Sequence, residues 1–463
     1  MRTTEHAGAR RRARTGARGR SRKPGYGWPV AVAVVCALLA PGTLAHADTH
    51  TGTSAARGGG GPDDIVLPEG DGWASLEGGT TGGAGADKAH THTVRTRAQL
   101  AAALEKAGDE PTVIKVKGTI DGNTDDRGRS LSCEDYATDG YTLEKYLAAY
   151  DPDTWGEKDP EGPMEDARLA SSARQKERVA LRVPSNTTLV GVGGKARLLG
   201  VSLQIADSEN VIVRGLRFED AFDCFPQWDP DDNTTGAWNS EYDNLVVTGS
   251  RHVWVDHNSF TDGRRPDSAQ PHHFGALFQQ HDGLLDIVRG ADLVTVSWNE
   301  LYDHDKSVLI GNSDGAGATD RGKLRATFHH NLFRDLNERV PRVRFGKVDV
   351  YNNHYKESGQ APYGYSWGLG FESALVGEHN AFTLPDTIAP YRVIHPWVKG
   401  AAMTESGNYV NGDPFDVLRY YNTQNPVALV GDDAGWTPSL RPHVDDPADL
   451  PRLVARGAGA GKG

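Results

Sequence analysis

Arg339, Arg342 and Arg344 fall within six residues of the stretch "ERVPRVRFGKVDVYNNHY", just ahead of a valine-rich run with strand character. The chain as a whole has a formal charge of −12, so any polyanionic ligand needs a local correction of that field, and this cluster offers one. The acids are just as local. "HDGLLDIV" sets Asp282 and Asp286 four apart, which puts both side chains on one side of a strand or a helix. "NSEYDNLVV" offers Glu241 and Asp243 at strand spacing, ahead of a run suited to pairing with a neighbour. Two carboxylates held together repel unless a cation sits between them. Oxygen ligands without a thiolate suit a hard ion, and an open carboxylate-lined site suits Ca²⁺ better than Mg²⁺. A solvated acidic surface is the competing reading of the same spacings. His272, His273, His304, His329 and His330 contain no i, i+4 pair and stand near no cysteine cluster, which argues against zinc. There is no G-x-S-x-G elbow and no phosphate-cradling glycine loop in strand-to-helix context.

The elements that must position these groups repeat. Two apolar residues at i and i+2, usually Asn at i+5, and an apolar or aromatic residue at i+7 recur in "VIVRGLRF" from Val211, "VWVDHNSF" from Val253, "VTVSWNEL" from Val294, "ATFHHNLF" from Ala326 and "VDVYNNHY" from Val348. Alternation is strand periodicity, and the Asn (Asn258, Asn299, Asn331, Asn353) marks a tight turn between two short strands. A parallel β-helix fits this pattern, with each coil burying the faces of its neighbours and the Asn side chains stacked along the turn. An antiparallel sandwich is the alternative, weakened by the scarcity of Asn-Gly hairpin signals. "TRAQLAAALEKAG" (Thr96 to Gly108) reads as an amphipathic helix suited to covering one end of the solenoid.

Residues 1–47 carry nine Lys or Arg and one acid, then "WPVAVAVVCALLA", then "LAHA", the layout of an export signal. The apolar run is shorter than the roughly 20 residues needed to span a bilayer. A secreted, extracellular protein without a membrane anchor is expected, and its removal of a basic leader makes it more acidic still, which disfavours nucleic acid as a partner. Residues 48–65 read as a flexible linker, 66–454 as the solenoid domain and 455–463, "ARGAGAGKG", as a flexible tail. Cys133 and Cys224 stand either as one disulfide or as two buried thiols. Tyr136 to Arg178 reads as a long loop insertion bordering the cleft.

Several of these motifs together, "GWASLEGGTTGGAG", "VWVDHNSF", "HDGLLDI", "YDHDKSVLIGNSD" and "HHNLFRDLNERVPRVRFGKVDVYNN", resemble the extracellular pectate lyases of polysaccharide lyase family 1, over roughly Asp71 to Tyr421. The resemblance implies an all-β fold, a right-handed parallel β-helix, and calcium-dependent β-elimination of polygalacturonate, the de-esterified form of pectin, by a monomer. It implies Asp243, Asp282 and Asp286 as calcium ligands, with Glu241 a weaker candidate because that position varies between acid and amide. Arg339 becomes the general base, while Lys306 and Arg344 grip substrate; Arg342 receives no catalytic role. Calcium, Lys306 and Arg344 around Arg339 should disfavour its cation, lowering its pKa and giving an alkaline optimum. Asp349 departs from the histidine often found there. A pectin lyase acting on methyl-esterified chains would lack the calcium carboxylates, and a polygalacturonase would need acids where these arginines stand. A non-catalytic polysaccharide-binding β-helix would have lost the base.

Overall fold

A computed structural model of the protein describes residues 64–232 and 235–462. The expected export signal and nearly all of the expected linker lie outside the described residues. Among the described residues no helix is long and apolar enough to cross a membrane.

The chain winds as a parallel β-helix in which each coil contributes three short strands. One face is an eight-stranded parallel sheet running from Ala180–Arg182 through Ser202–Ala206, Leu245–Thr248, Leu285–Val288, Leu309–Ile310, Arg342–Val343 and Trp367–Leu369 to Ile394–Pro396. The other two strands of each coil are the two halves of the repeated motif. In Arg251–Asp256 and Ser259–Thr261, for example, the first half pairs with Glu209–Arg214 below and Asp292–Ser297 above. The i and i+2 residues all point inward: Val211, Val213, Val253, Val255, Val294, Val296, Ala326, Phe328, Val348 and Val350 are fully buried. The i+7 rings stack between coils, Phe218 on Phe260 at 4.8 Å and Tyr355 on Phe382 at 4.5 Å.

The residue before each Asn takes a left-handed backbone (His257, Trp298, His330, Asn352 and His379 all have φ between 52° and 56°), which turns the chain sharply. The Asn then serves as the link between coils. Asn299 Oδ1 accepts from Asn258 N (2.8 Å) and Asn258 Nδ2 (3.1 Å), while its own Nδ2 donates to the carbonyls of Val255 and Ser297 and to Asn331 Oδ1. The same pattern continues through Asn331 and Asn353 to Asn380 and Asn408. The last two coils are not evident in the sequence, because Gly377 and Glu405 occupy their i+2 positions.

Both ends are covered. Helix Arg97–Lys106, capped by the Thr96 hydroxyl accepting from Gln99 N, lays Leu100, Ala103 and Leu104 on the first coils. Helix Val417–Gln424 buries Val417, Leu418 and Tyr421 at the other end. The stretch around Trp73 crosses the outer face of the second sheet, where the backbone N–H groups of Trp73 and Ala74 donate to the hydroxyls of Thr327 and Thr295.

Two expectations are corrected. Residues 136–178 are largely helical (Leu143–Ala149, Pro152–Trp155 and the long Pro163–Val179), and they form an aromatic core of their own with Tyr146, Trp228 and Trp238. The Cys133–Cys224 disulfide joins this insertion to the loop ahead of Asp243. Residues 455–462 are not a loose tail: helix Leu450–Gly457 seats Leu450, Val454 and Ala458 against Leu332 and Ala381, and Gly459 N then donates to Trp298 O at 2.7 Å. An i, i+4, i+8 apolar stripe outweighs the glycine-rich composition there.

Replacing Asn299 by Ala leaves Val255 O and the Asn258 N–H groups buried without that partner, so urea denaturation of Asn299→Ala should show a loss of about 3 kcal/mol or more. A change below about 0.5 kcal/mol would mean that the asparagines follow the stacking of the coils and do not hold it.

Candidate active site

The site is assembled by register. Val246 lies opposite Asp286, Ile287 opposite Ile310, Leu309 opposite Arg342, and in the adjoining ladder Lys306 lies opposite Glu338. Residues from four successive coils thereby share one outer surface. Asp243 is aimed by its neighbours: Tyr242 is buried against Val179 and Ala221, and Asn244 N donates to Gly283 O at 3.0 Å. The helix Pro163–Val179 braces this segment, since Gln175 accepts from Cys224 N and donates to Phe222 O.

Asp243 Oδ1 accepts from Gly283 N at 2.8 Å, and Asp286 Oδ1 accepts from Leu309 N at 2.9 Å. The two carboxylates converge over Gly283. A Cβ on that residue would stand 2.6 Å from Asp286 Oδ1 and 2.8 Å from Asp243 Oδ1, so only glycine leaves room for the pair. Asp282 faces Lys306, with Oδ1 3.2 Å from Nζ. The expected trio is thus together. Glu241 is not brought in: its exposed carboxylate pairs with Lys176 of the bracing helix at 3.0 Å.

The electrostatics are unbalanced. Burial, then Asp286 and Asp282, raises the Asp243 carboxyl well above the usual carboxylate range. Burial and Asp282 push Asp286 up to about 7, against a smaller opposing pull from Leu309 N, Arg339 and Lys306. Burial, the largest single influence, presses the Lys306 ammonium downward, but Asp282, through its charge and its hydrogen bond, and Asp305 together hold it above its ordinary value. Three carboxylates, two of them with an oxygen fixed by a backbone N–H, with no thiolate and too little positive charge nearby, fit a hard divalent cation such as Ca²⁺.

Arg339 projects from a turn with φ 60° and pairs with Glu338 at 3.1 Å. The expected lowering of its pKa is not found in the protein groups alone. Burial pulls it down, yet Glu338, Asp286, Tyr365 and Asp282 together carry it above the ordinary arginine value. Arg344 is anchored by Asp314 (2.6 Å) and by donation to Gly311 O (2.8 Å). Asp349 lies on another sheet, buried against Arg441 at 3.0 Å, and takes no part in the site.

Sequence reasoning missed a second cluster immediately behind this surface. Ligand-type atoms of Asp262, Asp267 and His281 lie within 4.8 Å of one another. They are largely engaged with one another and with their neighbours: His281 bonds Asp267 (2.7 Å) and Asp220 (3.2 Å), Asp262 bonds His304 (2.6 Å), and Arg264 and Arg265 cover Asp220, while Asp267 Oδ2 is left without a partner. Although burial opposes it, these acids push His281 up to about 10, so a protonated imidazole balances the charge. The network anchors the acidic surface from below, because His281 precedes Asp282 and His304 Nε2 reaches Lys306 O at 3.3 Å. Its members span residues 220 to 304, and no local spacing announces them.

Comparison with known proteins gives one consistent result. A family profile described as "Pectate lyase" matches residues 163–427. The chain is 43% identical over 401 residues to a pectate lyase of Bacillus subtilis, covering 86% of this chain and 93% of that protein. It is 38% identical over 316 residues to pectate lyase E of Dickeya dadantii, covering 68% of this chain and 67% of that one. A solved pectate lyase bound to a hexasaccharide superposes with a TM-score of 0.82 at 42% identity, covering 86% of this chain and 99% of that structure.

The raised Asp286 pKa carries a stability signature. Because its folded value, about 7, lies above the ordinary 3.8, the native chain binds a proton there that the unfolded chain releases. In chelator, thermal stability should therefore fall as pH rises between about 4 and 7, and Asp286→Asn should flatten that slope. A wild-type melting temperature that climbs across this window at least as steeply as the variant's would refute the crowding of the carboxylates.

Proposed function

The chain belongs to the pectate lyase family, and from that premise we propose a secreted, calcium-dependent enzyme that cleaves α-1,4-linked polygalacturonate by β-elimination into unsaturated oligogalacturonides. One observation carries the calcium reading: the Asp243 and Asp286 carboxylates converge over Gly283, with Asp282 beside them and too little cationic charge of the protein's own to offset them. The basic and apolar layout of residues 1–47 supports secretion.

Asp243, Asp282 and Asp286 would hold the ion; Glu241, committed to Lys176, stands outside that set. Bound Ca²⁺ supplies Lewis-acid polarisation of the sugar carboxylate and offsets the aspartate charge that otherwise favours protonated Arg339. Arg339 takes the proton from C5 of the galacturonate. The C5–H electron pair becomes the C4–C5 double bond, the C4–O bond breaks, and the departing oxygen gains a proton from solvent. Lys306, kept cationic by Asp282, and Arg344, held in place by Asp314 and Gly311 O, face the negative charge that develops on the carboxylate during proton removal. The ion pair with Glu338 is the obstacle to Arg339 as a base, and displacement of that partner belongs to substrate binding.

Ultraviolet absorbance with polygalacturonate should report growth of the unsaturated-product chromophore, abolished by chelator and restored by calcium. Arg339→Lys, which keeps a positive charge, should lower kcat at least about a hundredfold with little change in calcium affinity. Near-full activity in that variant would remove Arg339 from the role of base, and chain shortening without the chromophore would make the enzyme a hydrolase.

A further inference from the structure

The three arginines of the "RVPRVR" stretch are not equivalent. Arg339 has Glu338 and Arg344 has Asp314, but Arg342 makes no ion pair among the described residues. It occupies the outward row of the eight-stranded sheet two strands beyond Asp286, because Asp286 bonds the Leu309 backbone and Leu309 is paired with Arg342. Two strand spacings place it about 10 Å along the surface.

What holds Arg342 is aromatic. Its guanidinium lies over the Trp397 ring at 3.8 Å, its Nε is buried without a hydrogen-bond partner, and Trp397 is 44% exposed beside it. Trp397 is steadied in turn by His395 at 4.7 Å, and Tyr365 stacks on His395 at 5.1 Å. Gly368, paired with Arg342 on one side and His395 on the other, makes this possible. A Cβ there would stand 2.7 Å from the Tyr365 ring and 3.1 Å from the Arg342 stem. Burial, with Arg344 and Arg339 nearby, presses Arg342 below the ordinary arginine value; Glu338 and Asp314 are engaged by Arg339 and Arg344, and Arg342 has no carboxylate partner of its own among the described residues. A guanidinium fixed in plane by a ring presents its N–H edge as a two-pronged donor, which matches a carboxylate and not an ester.

We propose that Arg342, laid flat on Trp397, is a specificity-determining subsite that takes the carboxylate of a galacturonate unit on the C-terminal side of the cleavage centre. It thereby favours unesterified over methyl-esterified sugar at that place in the chain. This rests on the polygalacturonate reading above.

The test compares kcat and KM of the full protein and its variants on polygalacturonate and on highly methyl-esterified pectin, followed by the unsaturated-product absorbance. Arg342→Gln should raise KM on polygalacturonate about tenfold with kcat changed less than about twofold, and should leave KM on esterified pectin near the wild-type value. Arg342→Lys, which keeps the charge without the fork, should show a smaller rise in KM. Trp397→Ala, which frees the guanidinium from its plane, should shift KM in the same direction. Unchanged KM on polygalacturonate in Arg342→Gln overturns the proposal, as does an equal loss on both substrates. Should Arg342→Gln fail to fold, an unchanged KM in Arg342→Lys and Trp397→Ala overturns it as well. Absence of unsaturated product from the wild-type protein is a different result, and it would defeat the functional reading itself.

Discussion

Everything at the cleft depends on coils stacking in phase. Asp243, Asp282, Lys306 and Arg339 are widely separated along the chain, and they share one surface only because each coil begins its strand directly above the last. The asparagines enforce this at the turn by tying the backbone N–H of one coil to the side chain of the next. A slip of a single residue would exchange the two faces of a strand. Asp286 would then enter the core, and Ile287, now fully buried, would face the solvent.

Two neighbouring clusters show how differently buried charge can be arranged. Around His281 and His304, each of the three acids meets at least one basic group, and the result is a fixed internal scaffold. Around Gly283 the acids outnumber the cations that reach them, and the carboxyls are pushed toward their neutral forms. A folded chain retains such an imbalance where an external partner corrects it. The surplus of acid lies over Gly283, and about two strands away the Arg342 guanidinium rests on Trp397 without a carboxylate partner among the described residues.

The solenoid was legible in the sequence where its residues obeyed the rule of two apolar positions and an Asn, since that rule is a direct image of the strand–turn–strand unit. It failed where one position broke: Gly377 and Glu405 hid two coils that use the same asparagine link. The insertion at 136–178 was mistaken for a loop because its core is aromatic and shared with Trp228 and Trp238, which come from a distant segment. In the site, spacing offered Glu241 with Asp243 and Asp282 with Asp286 only as candidate pairs, equally open to reading as a solvated acidic surface, and the choice of three aspartates came from the family resemblance. The capture of Glu241 by Lys176, and the opposite sign of the Arg339 shift, follow from partners in other coils that no local pattern records.

Solenoids coupled only through nearest neighbours fold and fray one repeat at a time. This one is strapped lengthwise. The segment at Trp73 and Ala74 binds threonines 254 and 221 residues away, and Ala460 N bonds Ser259 across 201 residues. Contacts of such separation must await closure of very long loops, so they form late and make folding slow. For the same reason they are absent from the early nucleus, and their strength is expressed almost wholly in the unfolding rate. The straps at Thr327, Thr295 and Ser259 therefore oppose the opening of the coils beneath them one at a time.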